Sequence, residues 1–263
     1  IRRDDEKEMN KFPVVKYVTH TSKPIGKLGS VKFRTFTVGE HRQFLEAKAL
    51  GDESAIFDTL LNILEACTFG NIPVRKTEMY LLDMLYLEIY IKTKGAASPG
   101  VYRCTNMVTD PMTEDGIAGE EHECGNRVTV NIPLMTAYLH FPEGFDESQT
   151  VSIGENSGMK LRQPTAEEFQ AASKGVSGYD LTDQFVYSSV ECMWDGDRLM
   201  HPGIDYDLPG LVEYIGTLPD YVMDHIQAFY ELTPSIKLDM KIKCPKCGNE
   251  DEIHLDGLDD FFL

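Results

Sequence analysis

No stretch of this chain approaches the roughly 18–20 consecutive apolar residues that a membrane-spanning helix requires, and its first residues form no apolar leader. Neither membrane embedding nor secretion is expected. Positive charge is scarce: 25 Lys and Arg stand against 43 Asp and Glu, a formal net charge of −18. The deficit is uneven. Residues 1–34 hold nine basic against four acidic residues, while the remainder holds 16 against 39, or −23. So acidic a body repels a phosphate backbone, which argues against general nucleic-acid binding. Cysteine is sparse too. Six in 263 residues do not make a disulfide scaffold and point to a reducing compartment. Motifs of common enzymes are missing, among them the P-loop, the dinucleotide fingerprint, HExxH and the nucleophile-elbow serine. The seven histidines are scattered singly. Asp110, Glu114, Asp115, Glu120, Glu121 and Glu123 cluster on an expected surface loop, a poor platform for paired catalytic carboxylates. The chain therefore reads as non-enzymatic, with no catalytic residue assigned.

What the chain does have is an ordinary globular share of apolar residues, 42%, in a readable order. A basic N-terminal arm, residues 1–36, passes through short extended pieces rich in β-branched and aromatic residues, KFPVVKYVTH and SVKFRTFTVG. Helices are expected at EHRQFLEAKAL and at ESAIFDTLLNILEAC, where Ile56, Leu60, Ile63 and Cys67 share a face. A third, TEMYLLDMLYLEIYIKTK, is apolar over most of its surface and belongs at the centre. Strands are expected at VYRC, CGNRVTVNIPL, TAYLHF, QTVSIG and MKLRQP. After Pro164 the plan begins again. Thr165 and Glu168 make a capping box. DLTDQFVYSSVECMW reads as a helix carrying Cys192, opened by Asp180 or Thr182, and DGDRLMHPGIDYDLP reads as a connector. LPGLVEYIGTLPDYVMDHIQAFYEL gives two helices, the second opened at Pro219. IKLDMKIKC and EDEIHL form a closing strand pair. Phe44 and Cys67 are spaced as Phe169 and Cys192 are, with Asp58 and Leu60 falling on Asp183 and Phe185. That spacing predicts an internal duplication. The expected fold is α+β: a mainly helical body in two repeated halves, 37–163 and 164–263, joined by a zinc-ribbon-like element of cysteine-bearing β-hairpins.

Cys244 and Cys247, in KCPKCGNEDEIHL, have the two-residue gap of a zinc knuckle, and Gly248 permits the tight turn after the second ligand. Alone, such a pair would also suit a redox motif; a glycine and a strand after it, in place of a helix start, argue against that. The missing partners are Cys104 and Cys124. CGNRVTVNI and CGNEDEIHL share Cys-Gly-Asn before an alternating strand, and Cys104 takes the role of Cys244 across a long insertion, as in a hairpin with an expanded tip. The predicted site is one structural Zn(Cys)4 centre at Cys104, Cys124, Cys244 and Cys247, with Lys243 and Lys246 offsetting its charge and His122 as a substitute ligand. Four sulfurs leave no position for a reactive water, so the ion would supply folding free energy rather than chemistry. His254 is expected on the exposed face of its strand. Cys67 and Cys192 read as core thiols. Met193, Trp194 and Met200 cap the core or form a subunit contact. Phe261, Phe262 and Leu263 should dock, on this chain or in a partner's groove, because burying each is worth about 1.5–3 kcal/mol.

The segment LVEYIGTLPDYVMDHIQAFYELTPSIKLDMKIKCPKCGNEDEIHLDGLDDFF resembles the C-terminal signature of the T4-type bacteriophage baseplate hub subunit and hub assembly protein family. Glu213, Leu218, Ile226, Phe229, Pro234, Cys244, Cys247, Gly248, Gly257, Leu258, Asp260, Phe261 and Phe262 occupy matching places. LLDMLYLEIYIKTKG is similar to an earlier segment of the family, with Asp83 and Gly95 retained. Lys92 or Lys94 stands there in place of the expected arginine and serine, and the family's first CPxCG is present only as the split Cys104 and Cys124. The resemblance covers residues 35–263. It implies a virus-encoded protein of a contractile tail that builds the central baseplate hub, in the host cytoplasm during assembly and with possible retention in the virion. Hub, tail-tube or tape-measure proteins, and further copies of itself, are the implied partners. An alternative from the residues is a zinc-ribbon module engaging a host or nucleic-acid partner.

Overall fold

The computed structural model describes residues 15–112, 119–173 and 181–261. Glu114, Asp115, Asp180, Phe262, Leu263 and residues 1–14 of the arm lie outside them. The chain enters through a hairpin, β1 (His20–Ile25) and β2 (Gly29–Phe33), closed by one 3-10 turn. α1 (Val38–Leu50) and α2 (Glu53–Cys67) follow. Thr37 and Asp52 cap them, their side chains accepting from the backbone N–H of Glu40 and Ala55. Gly51 turns the chain between them at φ 70°, a left-handed conformation that costs glycine nothing. α3 (Met79–Lys94) buries eight residues, with Leu81, Leu85, Leu87 and Ile89 fully enclosed. A helix apolar on all sides has to be central, as the sequence predicts.

The earlier cysteine hairpin pairs β3 (Ser98–Arg103) with β6 (Arg127–Ile132). Its long insertion is not simply a loop: β4 (Met107–Thr109) and β5 (Glu121–Glu123) pair with each other and continue the hairpin outward. β7 (Tyr138–His140), β8 (Ser148–Ser152), β9 (Ser157–Arg162), α4 (Ala166–Ser173), α5 (Leu181–Ser189), β10 (Val190–Asp195), β11 (Arg198–Met200), α6 (Leu208–Ile215) and α7 (Asp220–Glu231) come next. The later cysteine hairpin, β12 (Ser235–Lys243) and β13 (Glu250–Asp256), ends the order, and β7 adds to its β12 edge.

The expected mainly helical body is overturned. Seven α-helices and thirteen strands are found among the described residues, the strands distributed over five small antiparallel sheets. The largest has the order β11-β10-β9-β8, and two of its strands occupy sequence expected to be helix and connector. The helix stops at Ser189, where the hydroxyls of Ser188 and Ser189 both donate to the Phe185 carbonyl, at 3.0 and 2.8 Å. The next residues then extend along β9. Gly158 of β9 makes room for this: a Cβ there would lie 2.4 Å from Trp194 Cζ2. Cys192 therefore sits on a strand rather than on a helix face. Gly196 (φ 58°) and Asp197 turn the chain tightly into β11.

Two apolar cores result. One surrounds α3 and draws on β1, β2, α2, β12 and the fully buried Phe261; the other fills the space between the four-stranded sheet and α5, α6 and α7. They meet where Phe57 stacks edge-on against Phe169, and where Asp58 accepts from both Arg75 and Gln170. A shared clasp starts α1 and α4. Arg34 bridges to Glu40 at 2.6 Å, and Glu40 also accepts from Thr37 N–H and hydroxyl; Arg162, Thr165 and Glu168 repeat the arrangement at the same spacing. Burial alone would raise both glutamates, but the arginine and threonine donors outweigh it and hold the carboxyls below their ordinary value.

Candidate metal centre

Each cysteine hairpin builds its tip in the same way. In the later one, Cys244 N–H donates to the Asn249 carbonyl (2.8 Å) and Gly248 N–H returns to the Cys244 carbonyl (2.9 Å). In the earlier one, Cys104 N–H donates to Asn126 (2.9 Å) and Gly125 N–H returns to Cys104 (3.0 Å). Gly125 and Gly248 both hold positive φ, 60° and 76°. The correspondence drawn between the two Cys-Gly-Asn segments thus reappears in the backbone hydrogen bonds. The insertion replaces the two residues between Cys244 and Cys247 without displacing the cysteines, because Cys124 N–H is tied to the Asn106 carbonyl at 2.8 Å.

The tips face each other. Cys104 Sγ lies 3.6 Å from Cys247 Sγ, Cys124 Sγ lies 3.8 Å from Cys244 Sγ, and all four sulfurs fall within 4.8 Å of one another. These separations are far beyond a disulfide bond, and the six cysteines are free thiols. Cys104, Cys124 and Cys244 are buried, walled by Tyr102, Val108 and Val128. Tyr102 also locks the hairpins together: its hydroxyl donates to Asp251 Oδ2 at 2.6 Å, which pushes the phenol up to about 12.

Polar groups around the sulfurs favour negative charge on them. Asn126 Nδ2 donates to Cys244 Sγ (3.6 Å) and Asn106 Nδ2 to Cys247 Sγ (3.8 Å), each amide reaching across to the opposite hairpin. Lys246 Nζ donates to the Cys124 carbonyl at 3.2 Å, beside the cluster. Lys243 instead pairs with Glu250 in solvent and takes no part. Cys244 is drawn down to about 6, first by the Cys247 backbone N–H, against the cost of burial, and then by the Lys246 N–H and the Asn126 amide. Cys104 stands at about 12: the Asn106 backbone N–H favours its thiolate, but burial and the surrounding thiols outweigh it. The Cys244 thiolate forms readily, therefore, while those of Cys104 and Cys124 beside it need a compensating cation. The four cysteines could hold a metal ion.

The other sequence candidates lie elsewhere. His122 is on β5, with its ring 3.8 Å from Asp110 and outside the sulfur cluster. His254 is exposed, as expected, and its Nδ1 lies 2.6 Å from Asp239 Oδ1, which raises its pKa. Cys67 is fully buried at the end of α2 and Cys192 half-buried on β10. Sequence reasoning missed the asparagine amides. Their recurrence beside the cysteines was the available signal, since asparagine in a tight turn serves equally for backbone geometry.

This is an α+β protein of small sheets and short helices whose two most similar hairpins converge on a tetracysteine cluster. Over residues 14–263 it matches the family described as T4 bacteriophage base plate protein, and it belongs to that family. Membership makes it a structural protein of the phage baseplate, with other baseplate components as neighbours and the virion tail as its place. No curated protein and no solved structure matches the chain at a significant level. Among the described residues, no helix is long and apolar enough to cross a membrane.

Proposed function

We propose that this chain is a structural or assembly part of the central hub of a contractile-tail baseplate, and that a Zn²⁺ ion held by Cys104, Cys124, Cys244 and Cys247 clamps its two cysteine hairpins into one rigid piece. The observation carrying this reading is the meeting of four sulfurs from two distant hairpins. A tetrahedral zinc site with bonds of about 2.3 Å has sulfur–sulfur edges of about 3.8 Å, and two cross-hairpin pairs stand at 3.6 and 3.8 Å. A sulfur-only shell has no open position, which fits a structural ion. The amide donors and Lys246 provide the outer contacts that orient and stabilise thiolate ligands.

On this reading the protein works by contact and without turnover. It joins hub, tail-tube or tape-measure proteins, or further copies of itself, in the host cytoplasm and stays with the tail. Its net charge of −18 weighs against the alternative of nucleic-acid engagement. Elemental analysis and X-ray absorption of the purified full chain test the ion: one zinc with four sulfur neighbours is expected, and an oxygen or nitrogen neighbour overturns the clamp. A phage carrying Cys244→Ser tests the role. Tails should stall before a complete hub forms, and normal particle yield would contradict the reading.

A further inference from the structure

Behind α1 lies a cavity unrelated to the cysteine cluster. Its volume is about 350 Å³, and its walls are apolar: Phe44 from α1, Leu60 and Ile63 from α2, and Tyr86 from α3. The rim carries two positive charges. Lys48 on α1 and Lys94 at the end of α3 open onto it beside His41, and no carboxylate is among its described lining residues. Lys94 Nζ donates to His41 Nε2 at 3.3 Å rather than to an acid. Both lysines are exposed, and neither forms an ion pair among the described residues. In a chain of net charge −18, cations gathered around an apolar hole without counter-charges are an exception that needs a reason. α1 also covers the hole incompletely. Across thirteen residues it buries only Ala47, while Leu45 and Leu50 stand 51% and 80% exposed.

We propose that this cavity docks an acidic segment of a neighbouring protein, which inserts one leucine or aromatic side chain between α1, α2 and α3 and sets its own carboxylates against Lys48 and Lys94. The apolar walls supply the burial that holds such an anchor, as when a helix or strand places one side chain in a groove. The cationic rim selects among anchors, because complementary charge governs partner choice and encounter more than final affinity. The same rim repels basic segments. The site is independent of the metal clamp, so either can fail without the other.

Three fluorophore-labelled peptides titrated into the full-length chain test this: an Asp-Leu-Phe-Glu core, its uncharged isostere Asn-Leu-Phe-Gln, and Lys-Leu-Phe-Lys. The acidic peptide should bind at least about tenfold more tightly than the isostere at low salt, with the gap closing near about 0.5 M salt. The double variant Lys48→Glu, Lys94→Glu should transfer the preference to the basic peptide, a gain that a misfolded protein does not show. Equal binding of the acidic and uncharged peptides overturns the proposal. So do binding of none of the three and acidic-peptide binding that survives the charge reversal. Self-association of the wild-type chain that the double variant abolishes would assign the cavity to a second copy, and would also overturn it.

Discussion

The side-chain amide of Asn126 donates to the sulfur of Cys244 across the gap between two hairpins, at 3.6 Å. Asn106 makes the mirrored contact to Cys247 at 3.8 Å. The earlier hairpin thus supports the thiolates of the later one, and the cluster is more than four cysteines brought close. Asn126→Ala should leave the fold intact and lower metal affinity by about 10–100-fold, the usual weight of an outer-shell donor. Competition against a chromophoric chelator measures this. Affinity unchanged within twofold would show the amide to be a bystander.

Removing the ion should loosen one corner of the molecule and spare its centre. Chelator treatment, or Cys104→Ser, should lower the melting temperature by about 5–10 °C, equivalent to a few kcal/mol in a chain of this size. Hydrogen exchange should rise in β3, β6, β12 and β13, with α3 still protected. Cys67→Ala, in the core and away from the cluster, should retain the full metal content. A uniform rise in exchange would contradict a local clamp.

The Arg34–Glu40 clasp gives a pH dependence of fixed sign. The folded Glu40 carboxyl sits below its ordinary 4.5, since the Arg34 and Thr37 donors outweigh burial. Its contribution is therefore complete above the unfolded value and is lost as pH falls through the depressed folded one. Glu40→Gln should cost about 2–3 kcal/mol at neutral pH, where it strands a largely buried guanidinium. Urea midpoints of variant and wild type should converge on acidification. A gap that persisted or widened in acid would refute the clasp.

Gly158 and Trp194 provide a local test of the strand that sequence reasoning read as helix. A Cβ on residue 158 would meet the indole at 2.4 Å and the Val151 carbonyl at 2.8 Å. Gly158→Ala should destabilise by about 1–3 kcal/mol, and Trp194, the only tryptophan, should shift its fluorescence. An unperturbed spectrum would mean that β9 and β10 do not approach as described.

The parts legible in the sequence were those written locally. α3 announced itself by being apolar all round, the Thr165–Glu168 cap by its spacing, and the convergence of the cysteines by two copies of Cys-Gly-Asn. β10 was not legible, because Val190, Cys192 and Met193 serve a buried helix and a buried strand equally well. What decided it was a glycine on another strand. The amide–sulfur contacts were hidden for a related reason: Asn126 and Cys244 become neighbours only after both hairpins are in place. Lys243 and Lys246 looked equivalent along the chain, yet Lys243 turns to Glu250 and only Lys246 reaches the cluster.

Cys124 and Cys244 are separated by 120 positions, and closing so long a loop costs more chain entropy than forming nearer contacts. The tetracysteine corner is therefore a place where remote parts of the chain report on each other. A neighbour resting on this corner would distinguish copies in which the two hairpins have met from copies in which they have not.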